Sequence, residues 1–280
     1  GLDQVVLKKL HLPTERKPDL SEWNSFLKKL KNPKSQIKVG LVGKYVELQD
    51  SYKSILEAII HAGAANEVDV QVVSIHSEEL EAGNIAEVLA DIQGLIVAPG
   101  FGERGIEGKI LAVQYVREHQ IPFFGICLGM QMAVIEYARN VKNIPKANSV
   151  EMDANTPDPV IDLMEAQKNI EQKGGTMRLG AWDCDLSAGL PQKIYGLQHI
   201  SERHRHRYEF NEAYQEVIFD EDFQIAGINP ETGLVEIVTL THHPWFIGVQ
   251  FHPEYKSTVS NPHPLFVDFI RAALERSTTQ

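Results

Sequence analysis

Between residues 37 and 139, short apolar runs alternate with stretches of helical spacing, a rhythm that few folds other than a helix-covered parallel sheet can satisfy. Residues 37–43 read as a strand ending in a glycine turn, 51–64 as a helix, 68–75 as a strand, 78–91 as a helix and 94–98 as a fully apolar strand. A helix over 109–118, a strand over 122–126 and a helix over 128–139 complete the series. Strands separated by helices of about 10–15 residues need right-handed crossovers, which make the sheet mainly parallel. After Asn140 the rhythm changes. Short β-type runs at 177–183, 204–210, 224–228, 235–239 and 246–251 predict additional, partly antiparallel strands before a closing helix over 264–276. The fold class is therefore α/β: a central, mainly parallel sheet flanked by helices, with added antiparallel strands and no internal repeat.

The first 36 residues differ. Apolar positions at helical spacing over 2–10 are broken at Leu12-Pro13, and a second short helix over 20–30 carries Trp23, Phe26, Leu27 and Leu30 on one face until Asn32-Pro33 stops it. This reads as a helical linker, residues 1–36, ahead of one domain over 37–280. The opening Gly-Leu-Asp-Gln has neither an initiator Met nor the basic-then-apolar order of a signal peptide, so the chain is expected to begin inside a longer protein.

Composition excludes several classes. The 280 residues suffice for a large core, and 27 basic against 38 acidic residues give a net charge of −11. Nucleic acids and anionic membranes call for a basic surface, so neither is an expected partner. The longest mostly apolar stretch, 121–135, is interrupted and too short to span a bilayer. Two cysteines, Cys127 and Cys184, in unlike contexts make no disulfide framework and suit a reducing, cytoplasmic compartment.

Cys127 stands at the centre of Gly125-Ile126-Cys127-Leu128-Gly129, between a predicted strand and a predicted helix. That spacing makes a sharp elbow with the side chain exposed above the sheet, at the positive end of a helix that favours a thiolate. Taken alone, Cys127 could equally be a small buried hydrophobe. A base is available in Gly248-Val249-Gln250-Phe251-His252-Pro253-Glu254, an apolar strand ending in His-x-Glu. Pro253 restrains His252, and Glu254 is placed to accept its second ring N–H. Nucleophile, base and orienting carboxylate make up the chain of groups needed for acyl transfer, at the strand ends where parallel sheets place their sites. Ala98-Pro99-Gly100-Phe101-Gly102 follows the third strand and offers backbone N–H groups that, with that of Leu128, could hold an oxyanion.

The run Arg203-His204-Arg205-His206-Arg207 invites other readings. As a strand it puts three arginines on one face and two histidines on the other. Zinc held by His204, His206 and His242-His243 is disfavoured for lack of a cysteine pair or clustered carboxylates. The arginine face is better paired with local acids such as Glu202 and Glu209, plus one substrate contact, than with nucleic acid. Glu78, Glu79 and Glu81 read as a solvated helix face.

Gly-Ile-Cys-Leu-Gly-Met-Gln with a distant Phe-His-Pro-Glu resembles the class I glutamine amidotransferases. Further runs resemble the glutaminase half of the CTP synthase family: Val42-Gly43-Lys44-Tyr45-Val46-Glu47-Leu48, Tyr52-Lys53-Ser54, Gly174-Gly175-Thr176-Met177-Arg178-Leu179-Gly180, and Glu202 to Glu209. The resemblance spans nearly the whole chain. It implies Cys127 as nucleophile, His252 as general base and acid, Glu254 as orienting carboxylate, and Gly100 with Leu128 as oxyanion donors. It implies a glutamine pocket of Gly100, Leu128, Gly129, Met130, Gln131, Glu151 and Arg207, with no metal on this chain. The missing synthetase half would use ATP and Mg2+ to convert UTP to CTP with the released ammonia. The complete enzyme would be a tetramer activated by GTP, with Phe101 and Arg104 as GTP contacts. Two positions depart from the family pattern: Ala98-Pro99 stand where Pro-Gly is usual, so the turn loses one N–H, and Val150 replaces a common threonine. A glutaminase serving another synthetase, a free-standing γ-glutamyl hydrolase and a catalytically silent assembly module are the alternatives.

Overall fold

The computed structural model describes residues 1–15, 17–163 and 177–279. Nine strands form one sheet in the order β2-β1-β3-β4-β12-β11-β10-β7-β8. Its parallel half comprises β1 (Ser35–Gly43), β2 (Val68–His76), β3 (Gly94–Val97), β4 (Phe123–Ile126) and β12 (Phe246–Val249). The rest, β7 (Arg178–Leu186), β8 (His199–His206), β10 (Phe223–Ile228) and β11 (Val235–Leu240), run antiparallel to their neighbours. A small second sheet joins β5 (Ala147–Ser149), β6 (Asp158–Leu163) and β9 (Tyr208–Phe210). β3, β4, β11 and β12 are buried along their whole length, as strands covered on both faces must be.

The helices α1 (Leu2–Lys9), α2 (Ser21–Lys31), α3 (Lys53–Asn66), α4 (Ile85–Val88), α5 (Ile106–Glu118), α6 (Leu128–Asn140), α7 (Leu190–Tyr195), α8 (Gln215–Ile218) and α9 (Pro264–Thr279) cover the large sheet or extend from it. One core layer gathers Ile110, Val113, Met132, Ile135 and Phe246; the other gathers Ile55, Ile59, Phe124, Phe266 and Phe269. Buried Glu136 of α6 is held by Arg117 of α5 through a two-point ion pair at 2.8–3.1 Å, which ties the two helices together. α1 buries none of its residues. α2 leans on α3, with the Phe26 ring edge-on to His61 at 6.1 Å, while Trp23 and Leu30 remain exposed.

Three sequence expectations need correction. The helix expected over 78–91 is a 3₁₀ turn (Ser77–Glu79) followed by the single turn α4. Asn84 is the reason: its side chain accepts from the Glu81 amide at 2.9 Å and donates to the Glu79 carbonyl at 2.7 Å, closing a loop where the helix would run. Glu78 is accordingly not on a solvated helix face but paired with Arg104 at 3.3 Å. The run 204–210 is split between β8 and β9, which belong to different sheets. Residues 174–176 of the Gly-Gly-Thr run lie outside the described residues. Among the described residues no helix is long and apolar enough to cross a membrane.

Candidate active site

The sharpest backbone feature of the molecule is at Cys127, with φ 53° and ψ −101°. A non-glycine residue held there stores about 1–3 kcal/mol and persists only when its surroundings fix it. They do. The Cys127 amide donates to the Val249 carbonyl of β12 at 2.7 Å, and its carbonyl begins the ladder of α6. The flanking glycines are required by space: a Cβ on Gly125 would lie 2.7 Å from backbone atoms of Gly129, and one on Gly129 would lie 2.3 Å from the Val97 carbonyl. Strand β4 and helix α6 can therefore pass closely enough to thrust the thiol up at the helix N-terminus.

The base comes from the neighbouring strand. β12 pairs with β4 in parallel, Val249 opposite Ile126, so the residues after each strand emerge side by side. The His252 amide donates to the Arg203 carbonyl at 2.7 Å, and its Nδ1 lies 2.7 Å from Oε1 of buried Glu254. Tyr255 stacks on the imidazole at 5.1 Å, nearly parallel. The other nitrogen, Nε2, is buried and makes no hydrogen bond to nitrogen or oxygen among the described residues, which leaves it to the Cys127 sulfur. Burial opposes a charge on His252, but Cys127 and Glu254 outweigh it and raise its pKa to about 11. The imidazole is therefore held protonated beside the Cys127 sulfur.

Cys127, His252 and Gly100 line one cavity of about 350 Å³, together with Tyr45, Tyr52 and Arg205. The N–H groups of Gly100 and Leu128 have no acceptor among the described residues, and a Cβ on Gly100 would fall 3.5 Å from the Leu128 side chain, so the turn packs against the first residue of α6. Together these parts can attack a carboxamide, hold the oxyanion and protonate the leaving amine.

The class I glutamine amidotransferase family matches residues 47–272. The chain belongs to that family. Among curated relatives, this amidotransferase chain is 64% identical to the CTP synthase of Flavobacterium johnsoniae over 98% of its length and 51% of that protein. It is 62% identical to the CTP synthase of Christiangramia forsetii, over 100% of its length and 52% of that protein. The chain thus spans about half the length of the curated relatives it matches. Among solved structures it is similar to the glutaminase domain of Trypanosoma brucei CTPS with bound acivicin, at 37% identity and TM-score 0.80, covering 85% of this chain and 94% of that one.

Within this amidotransferase the remaining expected residues divide. Glu151 reaches the oxyanion turn, its Oε1 accepting from the Gly102 amide at 2.8 Å. Burial raises its pKa, against the Gly102 N–H and the positive charges of Arg207, Lys44 and Lys109. Arg207 keeps a buried Nε without a hydrogen-bond partner among the described residues. Gly129, Met130 and Gln131 do not line the cavity, because the first turn of α6 dives into the core behind the elbow. Gln131 instead donates to the Tyr208 carbonyl at 2.9 Å and to Oε1 of Gln250 at 3.2 Å. Phe101 is exposed, and Arg104 lies over the Tyr45 ring at 5.7 Å.

The arginines and histidines of β8 do alternate between faces, the histidines inward. The local acids do not pair with those arginines, however. Glu202 meets His263 at 3.0 Å and Tyr195 at 3.1 Å, and Glu209 faces Arg178 at 3.8 Å. His204 and His206 bond to each other at 2.9 Å. Burial, foremost, pulls both their pKa values down, to about 2 and about 3.

Sequence reasoning missed Gln250 and Lys109. Gln250 Nε2 lies 3.7 Å from the Cys127 sulfur. Its signal was a polar residue inside an otherwise apolar strand. Lys109 is buried in α5, its signal a lysine at helical spacing with apolar Ile106, Ile110 and Val113.

Proposed function

We propose that this chain hydrolyses L-glutamine to glutamate and ammonia as the glutaminase half of a CTP synthase. The observation that carries the reading is His252, held by Glu254 at one nitrogen and buried at the other beside a cysteine on a strained elbow. The Cys127 thiolate adds to the side-chain carboxamide of glutamine, and the new oxyanion takes the N–H groups of Gly100 and Leu128. The His252 imidazolium gives its Nε2 proton to the departing nitrogen, which leaves as ammonia, and a γ-glutamyl thioester remains on Cys127. Neutral His252 then takes a proton from water, hydroxide adds to the thioester, and glutamate departs with the thiolate restored. Glu151 and Arg207 carry opposite charges suited to the α-ammonium and α-carboxylate of the substrate.

In this reading residues 1–36 form the linker to a synthetase domain, and residues 37–280 the glutaminase domain. Ammonia passes to that domain, where ATP and Mg2+ serve the conversion of UTP to CTP. The full protein is a cytoplasmic tetramer, and GTP activates it at Phe101 and Arg104. The free, buried Cys184 and the free Cys127 suit a reducing compartment.

The test is labelling with a glutamine-like diazo-ketone amino acid, read by intact mass and peptide mapping. One adduct on Cys127, blocked by excess glutamine and lost in His252→Ala, is the expected result. A folded chain that takes no adduct and releases no ammonia from glutamine would overturn the glutaminase reading.

A further inference from the structure

Lys109 is only 1% exposed, and among the described residues its ammonium makes no ion pair. Its one hydrogen bond runs from Nζ to the Ala98 carbonyl, at 3.3 Å. An ammonium has three donors, and burying one so poorly matched is costly; for packing alone a methionine would serve better. Its position suggests what offsets that cost. A Cβ on Gly100 would lie 3.6 Å from Nζ, so the charge sits against the turn that lines the cavity together with Cys127. That turn is short of donors, because Pro99 has no N–H. The charged groups facing Lys109 are Lys44 after β1, Cys127 at the elbow and Glu151 after β5.

We propose that Lys109 is a positioning residue of the glutaminase reaction, its buried ammonium fixing the Ala98–Gly100 turn and lending it positive charge where the carboxamide oxyanion develops. The inference rests on the glutaminase reading above. As the thiolate attacks, negative charge passes from sulfur to the carboxamide oxygen held at Gly100, the residue against which the Lys109 ammonium packs. An interaction that strengthens in this way lowers the barrier, whereas one equal in both states does not. Burial, then Lys44, pull the lysine pKa down to about 8, against Cys127 and Glu151. The ammonium is therefore held at neutral pH and lost on the alkaline side.

The experiment follows ammonia release by the wild-type chain, Lys109→Met and Lys109→Gln from about pH 6 to about pH 10, with the Tm of each at neutral pH. Lys109→Met is expected to lower kcat about 10- to 100-fold with KM changed less than about 2-fold. The wild type is expected to lose kcat on the alkaline side as the Lys109 ammonium, with its pKa of about 8, deprotonates, and the variant should lack that fall. Its Tm should rise by about 2–4 °C, because a buried charge has been replaced by an apolar side chain of similar length. A lysine with only a structural part would leave kcat and the pH profile unmoved, whatever the change in Tm. Unchanged kcat in a folded variant, or a wild-type kcat flat to about pH 10, overturns the proposal. Should Lys109→Met fail to fold, Lys109→Gln and the wild-type profile decide. An active, Cys127-labelled wild type with indistinguishable variants removes only the role of Lys109. A wild type that neither labels nor releases ammonia removes the glutaminase reading, and this inference with it.

Discussion

Gln250 Nε2 lies 3.7 Å from the sulfur of Cys127, while Oε1 of the same amide accepts from Gln131 at 3.2 Å. Gln131 in turn donates to the Tyr208 carbonyl, so a line of amides runs from β9 to the nucleophile. A donor aimed at sulfur favours the thiolate, and a hydrogen bond to a charged group contributes about 1.5–3 kcal/mol. Gln250→Leu should therefore slow alkylation of Cys127 by iodoacetamide about 10-fold at neutral pH and shift its pH dependence upward. An unaltered rate in the folded variant would make the amide a space-filler.

Glu254→Gln keeps the shape but loses the charge that holds the His252 N–H. Its kcat for glutamine should fall about 10²–10⁴-fold, with KM moved far less. Steady-state ammonia release resolves the two constants; a drop below about 5-fold would place the orienting role elsewhere.

The raised pKa of His252 gives a stability signature. A basic group whose folded pKa exceeds its unfolded value stabilises most below the unfolded pKa of about 6.5. That contribution is lost as pH rises toward the folded value of about 11. Urea midpoints of the parent chain and His252→Asn should therefore differ most near pH 6, and the gap should narrow steadily as pH rises toward about 11. A gap that widens with pH would reverse the assignment of the proton.

Arg207 has a buried Nε with no hydrogen-bond partner among the described residues, and the glutaminase reading assigns it to the substrate carboxylate. Arg207→Met should raise KM for glutamine about 10- to 100-fold while kcat changes less than about 3-fold, since a carboxylate remote from the reacting bond is held alike in ground and transition states. Diazo-ketone labelling should slow in parallel.

Gly129→Ala tests the elbow mechanically. The new methyl would meet the Val97 carbonyl at 2.3 Å, so β3 and α6 must separate. A loss of about 3 kcal/mol in urea unfolding is expected, and retention of parent stability would show that the elbow has slack.

Much of this arrangement is legible in the residues. The strand–helix rhythm, the cysteine between glycines and the His-x-Glu at a strand end are local patterns, and each maps onto β4, α6 and β12. What escaped depends on non-local neighbours. The helix expected over 78–91 fails because Asn84 bonds across a loop, a choice invisible to periodicity. β5 has only three residues, and β6 carries Pro159 at its second position, so neither shows a clean strand pattern. Lys109 and Gln250 look like unremarkable polar residues until the fold carries them to the sulfur and the oxyanion turn. Glu202 and Glu209 were matched to the nearest arginines in sequence, but their strands point them inward, toward His263 and Arg178.

The pairing of β12 with β4 also sets a schedule. The elbow takes its amide acceptor and its base from a strand made long after it: Gln250, beside the sulfur, is 123 positions downstream of Cys127. A ribosome adding about 5–20 residues per second needs many seconds to cover that distance. During that interval β4 has an unfilled neighbour, and the thiol has no imidazole to charge it. A nascent chain halted before β12 can therefore consume no glutamine, and hydrolysis begins only once the sheet has closed around its own reagent.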